Sequence, residues 1–325
     1  MISKAILLVG GKGTRLAPLT NTTPKPMLKV AGKSVTEHQI VKAREAGVTH
    51  IVLATSYLAE VFEPYFGDGS KFGISITYAV EKEPLGTGGA IANAAAALNL
   101  SSDESIFIFN GDVLSGHDLS AQANLHSSNS ADITLHLVEV ADARAYGCVP
   151  IDANNRVRDF LEKMENPIAN TINAGCYIFS KRTISMIPRD SVISVERETF
   201  PSLLSKGSVL LGYKDSRYWI DMGTPQSMIQ ASKDLILKPE ISKATPAPTD
   251  GALIDEKVSL EASSVVDGGS YIQRNSVIGA RSRVSGSIIG EKSQIASDVT
   301  IIDSYIAPNS RVESGSYLNG EIFGF

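Results

Sequence analysis

Apolar residues follow two different rhythms along this chain, and the rhythm changes near residue 240. Up to about residue 236, short apolar runs alternate with stretches whose apolar residues recur at helical spacing. The runs at 5–9, 51–54, 74–80 and 105–109 predict strands. Between them, 35–46 predicts a helix that stops at Gly47, 58–66 a second helix, and the Ala-rich 88–98 a third. Such alternation predicts an α/β domain with a mostly parallel sheet, helices on both faces, and ligands bound beyond the carboxyl ends of the strands.

Residues 238–253 are rich in Pro, Ser and Thr and read as a linker. Beyond it an aliphatic residue recurs at every sixth position: Ile254, Leu260, Val266, Ile272, Ile278 and Val284. After a one-residue slip the spacing resumes at Ile289, Ile295 and Ile301, and after another at Ile306, Val312 and Leu318. A hexapeptide period with small and polar residues in the gaps predicts a β-helix, whose coils stack their aliphatic side chains into one core. The pattern resembles the left-handed β-helix of hexapeptide-repeat proteins, with about four coils at three ladder positions per coil. The expected division is a first domain at 1–237, a linker at 238–253 and a left-handed β-helix at 254–325.

Composition narrows the setting. With 325 residues, 43% of them hydrophobic and 20% charged, the chain has the balance of a soluble globular protein. A net charge of −5 argues against nucleic-acid binding, which needs a basic field. No apolar run approaches the roughly 20 residues that cross a membrane, and the N-terminal strand is too short for a signal-peptide core. Cys148 and Cys176 suit a reducing compartment as buried thiols, so a cytoplasmic location is expected.

The first strand runs into Gly10-Gly11-Lys12-Gly13-Thr14-Arg15, followed by Pro24-Lys25-Pro26. Glycines let the backbone turn and bring N–H groups close to an anion. Arg15 can fork onto two phosphate oxygens and Lys25 adds a mobile point charge. The segment reads as a triphosphate cradle, yet it is not a Walker A loop, because Met27 stands where that motif needs Gly. It also fails the dinucleotide pattern, which Leu16 interrupts.

The string G-G-x-G-T-R-L-x-P-L-T…P-K-P resembles the opening of the sugar-1-phosphate nucleotidyltransferases, and further motifs extend the resemblance over about residues 1–236. It implies a Rossmann-like catalytic domain and a bound Mg²⁺. It places the metal on Asp112 of Asn110-Gly111-Asp112 and on Asp221 of Trp219-Ile220-Asp221-Met222-Gly223-Thr224-Pro225. Glu162 and Lys163 match the family's E-K-P element, with Met164 in place of Pro. Gly147, Asn173 and Glu196 match its sugar-contacting positions. Lys163 joins Arg15 and Lys25 as a catalytic cation, while Gly10, Gly11, Lys12, Gly13 and Thr14 hold the nucleotide. The resemblance departs at Ala17, where many members carry a second Arg.

Glu81-Lys82-Glu83-Pro84-Leu85-Gly86-Thr87-Gly88-Gly89 resembles the guanylyltransferase branch. Glu81, Gly86 and Thr87 are accordingly nucleotide contacts, although Thr87 also fits a plain helix N-cap. The implied substrates are GTP and mannose 1-phosphate. Heptose 1-phosphate with GTP, glucose 1-phosphate with UTP or dTTP, and a non-catalytic nucleotide-sugar sensor are the alternatives. A sugar phosphate is already anionic, so its attack on an α-phosphorus needs alignment and charge neutralisation rather than a base. Hexapeptide domains also form acyltransferases that use a histidine base, but all five histidines precede residue 137. The β-helix is therefore expected to join copies of the chain into a homo-oligomer.

Overall fold

The computed structural model describes every residue except Glu162. Seven strands form one sheet in the order Leu210–Lys214, Ile133–Glu139, Thr171–Ser180, Ser105–Asn110, Lys4–Leu8, His50–Thr55, Ser75–Val80. All neighbours run parallel except Thr171–Ser180, which is antiparallel to both of its partners. Ile6 pairs with Val52 on one side and Ile108 on the other, and all three are fully buried. Continuous apolar strands are what a sheet covered on both faces requires.

Helices Val35–Glu45 and Gly86–Ala95 stand within two residues of their predicted starts. The single helix expected over 58–66 is instead a 3₁₀ turn, Ala59–Val61, followed by a short α-helix, Phe62–Phe66. Leu58 enters that turn in the left-handed conformation at φ 51°, which a continuous helix cannot contain.

By contacts the chain groups into two compact units, 1–11 with 42–219 and 12–41 with 220–325. The second unit thus combines the cradle segment with the β-helix. Segment 238–253, expected as a linker, is packed within this unit. Ser242 Oγ lies 2.7 Å from His38 Nδ1, and Pro246 and Leu253 crowd Gly32. Ser232 Oγ accepts a hydrogen bond from the Ala31 N–H at 2.9 Å.

The β-helix consists of three parallel sheets, one along each side. Leu260, Ile278, Ile295 and Val312 stack in register along one of them. The eight central ladder residues, Ile272 to Val312, are at most 2% exposed. Ile254 and Leu260 are 40% exposed, because the first coil has no preceding coil to cover its outer side. Two residues before most ladder positions stands a buried serine: Ser270, Ser276, Ser282, Ser287, Ser293, Ser304 or Ser310. Ser276 Oγ donates to Gly290 O and accepts from Ser293 N, and Ser282 does the same with Ala296 O and Val299 N. The serines satisfy corner backbone groups that a turn would otherwise leave unpaired in the core.

Candidate active site

In the second unit, the cradle narrows at Gly13, which adopts φ 62° at the start of the one-turn helix Thr14–Leu16. A Cβ here would stand 2.9 Å from the Cβ of Lys25, so glycine supplies both the left-handed turn and the space. Thr20 Oγ1 donates to Gly13 O at 3.1 Å and fixes the loop. Lys25 is 6% exposed, with Nζ 3.8 Å from Asp221 Oδ1. Arg15 is exposed, and both its terminal nitrogens lie 3.0 Å from where a Cβ on Gly223 would stand. Lys12 and Thr14 are exposed as well. This unit therefore gathers two cations and one carboxylate from P-K-P, G-T-R and W-I-D-M-G-T-P.

In the first unit, Gly10 packs closely on Ser56, whose hydroxyl donates to Gly10 O at 2.6 Å, while Gly11 borders open space. Asp112 is half-buried and follows the strand Ser105–Asn110. Its turn is pinned by the Gly111 N–H donating to Leu8 O at 2.9 Å. Asp112 here and Asp221 in the second unit each carry a hard carboxylate, the type of donor that Mg²⁺ takes alongside phosphate oxygens. Among the described residues no group of three or more His, Cys, Asp or Glu could hold a metal.

A hydrogen-bond network in the same unit links two expected nucleotide and sugar positions. Thr87 Oγ1 donates to Glu196 Oε2 at 3.0 Å and accepts from Val195 N at 2.8 Å. Tyr177 OH donates to Glu196 Oε1 at 3.2 Å and accepts from Asn173 Nδ2 at 2.7 Å. Burial, reinforced by the Glu196 carboxylate, pushes the Tyr177 phenol well above its usual range, so it stays a donor. Tyr177 is fully buried and has no role in the motif reading. Its contact with Asn173 depends on an irregularity: the pairing slips so that Leu135 and Leu137 face Tyr177 and Asn173. No periodic pattern announces such a slip.

Thr87 is not the N-cap of helix Gly86–Ala95. Leu85 occupies that position and no side chain caps it. Gly86 and Gly88 press on Ile193 and Gly89 on Ser191, so these glycines serve close packing. Glu81 is half-buried, which raises its pKa, and its Oε2 accepts the Leu85 N–H at 3.2 Å. Gly147 takes φ 76° beside the exposed Tyr146, whose ring meets Trp219 edge-on at 5.9 Å. Lys163 is exposed, and Glu162 lies outside the described residues. Among those residues no helix is long and apolar enough to cross a membrane.

Comparison with known proteins gives four relations. The family model of nucleotidyl transferases matches residues 4–237. A mannose-1-phosphate guanylyltransferase of Mycobacterium tuberculosis is 46% identical over 286 residues, 88% of this chain and 79% of that protein. Mannose-1-phosphate guanylyltransferase 1 of Arabidopsis thaliana is 32% identical, covering 98% of this chain and 95% of that one. Among solved structures, HddC from Yersinia pseudotuberculosis complexed with GMP-PN superposes with a TM-score of 0.61 at 30% identity, over 72% of this chain and all of that one.

Proposed function

This chain belongs to the nucleotidyl transferase family, and from that premise we propose that it joins GTP to mannose 1-phosphate, giving GDP-mannose and pyrophosphate. What carries the reaction class is the buried Lys25 beside Asp221, with Arg15 laid against Gly223. The choice of GTP and mannose 1-phosphate is supported by the 46% identity to a protein of that activity over most of the chain.

The reaction needs no general base, because the attacking sugar phosphate oxygen is already an anion. Arg15 and Lys25 neutralise charge on the triphosphate, and Lys163 holds the sugar phosphate in line with the α-phosphorus. The backbone of Gly10 to Thr14 turns around the phosphates. Asn173 and Glu196, tied through Tyr177, address the sugar hydroxyls, with Gly147 and Glu162 completing that side. Glu81, Gly86 and Thr87 border the base. Members of this family generally work with a divalent metal. We assign Mg²⁺ to Asp112 and Asp221, where it would withdraw charge from the α-phosphate and the departing pyrophosphate.

We place the reaction in the cytoplasm, in keeping with two free buried cysteines, and expect copies to associate through the β-helix, which light scattering would test. Pyrophosphate release across four nucleoside triphosphates and a panel of sugar 1-phosphates tests the substrates. Turnover confined to UTP or dTTP with glucose 1-phosphate would overturn the assignment.

A further inference from the structure

In the first unit, Lys42 of helix Val35–Glu45 turns its ammonium into the protein, where burial lowers its pKa to about 8. It donates to the Ser115 carbonyl and, at 3.1 Å, to His117 Nδ1. Ser115 Oγ donates to the same Nδ1 at 2.6 Å, so that nitrogen carries no proton. The ring proton is on Nε2, which donates to Gln122 Oε1 at 3.1 Å, and Gln122 Nε2 donates onward to Thr134 O. Burial, together with the Lys42 charge, takes the His117 pKa well below its ordinary value, which keeps the ring a neutral acceptor. Neither acceptor of the ammonium is a carboxylate. A buried cation held only by neutral groups lowers stability relative to an apolar side chain of similar size.

What the ammonium grips is the stretch of chain that carries Asp112. Asp112 directly follows Gly111, whose N–H is pinned on Leu8 O. The strand Val113–Ser115 comes next, with Leu114 buried, and ends on the carbonyl that Lys42 holds. Beyond it the Gly116 N–H donates to Tyr218 O at 2.7 Å, and the Asp118 N–H to Asp215 Oδ2 at 3.3 Å. An extended residue spans about 3.3 Å, so Ser115 stands roughly 10 Å along the chain from Asp112. A hydrogen bond from an ammonium is roughly twice as strong as a neutral one, and here it fixes the far end of that span.

We propose that Lys42 is a positioning residue for Asp112: through the Ser115 carbonyl and His117 it sets the strand that aims the Asp112 carboxylate at the divalent metal. This rests on Asp112 holding the metal, as proposed above. Two effects of the lysine oppose each other, and their signs separate the roles. As a plain positive charge Lys42 repels a divalent cation, so its removal alone would tighten metal binding. As a positioning group its removal frees the strand and weakens metal binding, because the groups behind a ligand orient it. Stability moves the other way, since an apolar chain in its place spares the cost of burying the ammonium.

The test uses the full chain as wild type, Lys42→Met, Lys42→Arg and Asp112→Ala. Each is saturated with the nucleotide sugar that the wild type makes and titrated with Mn²⁺, the free ion being read by electron paramagnetic resonance. Lys42→Met should bind Mn²⁺ at least about fivefold more weakly, and Lys42→Arg within about twofold of wild type. In steady-state kinetics the half-saturating Mg²⁺ should rise by the same factor, with the KM for the sugar phosphate nearly unchanged. The melting temperature of Lys42→Met should equal or exceed that of wild type. Should Lys42→Met not fold, Lys42→Gln, which has neither the charge nor the reach, takes its place. Unchanged or tighter Mn²⁺ binding in Lys42→Met, beside weakened binding in Asp112→Ala, overturns the role of Lys42 alone. A lowered melting temperature with equal rises in half-saturating Mg²⁺ and in the sugar-phosphate KM overturns it too, leaving Lys42 a general support of the fold. If Asp112→Ala binds Mn²⁺ as wild type does, the metal assignment itself fails, and the role of Lys42 falls with it.

Discussion

Arg15 and Gly223 are 208 positions apart, yet the guanidinium of the first fills the space that a side chain on the second would take, with both terminal nitrogens 3.0 Å from the missing Cβ. The glycine of D-M-G-T-P is therefore a seat for the arginine of G-T-R. Gly223→Val should evict Arg15 and lower kcat/KM by about tenfold or more. Because both changes remove one interaction, Arg15→Ala combined with Gly223→Val should cost little more than Arg15→Ala alone. Additive losses in steady-state kinetics would separate the two residues.

Lys25, Lys163 and Asp112 are assigned charge-neutralising or metal-holding roles in the transition state. Replacing each in turn by Ala should lower kcat/KM by at least about 100-fold, near 2.7 kcal/mol. Folding is checked by an unchanged melting temperature. Near-normal turnover in any one of them would remove that residue from the mechanism.

Tyr177→Phe deletes a hydroxyl shared by Asn173 and Glu196 while leaving the buried ring in place. The expected result is a rise of about tenfold in the KM for mannose 1-phosphate with a KM for GTP that moves much less, equivalent to about 1.4 kcal/mol at one hydrogen-bonded group. Equal changes in both KM values would mean that the network serves the whole site rather than the sugar.

Acid should destabilise this protein earlier than its carboxylates alone would suggest. Burial lowers His38 and His126 to about 4 and His136 to about 3, and takes His117 well below 6.5. The unfolded chain therefore binds these protons first, so stability holds above about pH 6.5 and declines as pH falls toward 4. His136 makes no hydrogen bond from either ring nitrogen and stacks on His117 at 3.7 Å. His136→Leu should make the fall in melting temperature between pH 6.5 and 4 shallower, and an unchanged slope would count against the assignment.

The β-helix offers a test outside the active site. Ser276→Ala removes the donor to Gly290 O and the acceptor for Ser293 N, leaving two buried backbone groups without that partner. A loss of about 1–3 kcal/mol in chemical denaturation is expected. Loss of less than a few tenths would show that the corner groups find other partners.

Much of this was legible in the sequence for identifiable reasons. The sheet strands and the aliphatic ladder are periodic, and Ile272 through Val312 are buried as their spacing implies. The serine positions were equally regular, at two residues before the ladder, but a buried polar residue is not anticipated by a hydrophobic pattern. The joining of 12–41 to 220–325 depends on single long-range bonds, such as Ala31 N–H to Ser232 Oγ, which leave no local trace. In the candidate site, residue types pointed to the charges. The seat at Gly223 and the slip that brings Tyr177 to Asn173 came only with the fold.

The split composition of the second unit also sets an order of events during synthesis. Lys12–Val41 emerges from the ribosome early, but its partners in that unit begin at Ile220. At cellular elongation speeds the segment waits on the order of ten seconds or more for them. Until then Lys25 has no Asp221 beside it and Arg15 has no seat. A nascent or prematurely terminated chain thus lacks both the Lys25–Asp221 pair and the seat of Arg15 on Gly223, and the charge arrangement proposed for the triphosphate exists only once translation has passed the D-M-G-T-P segment.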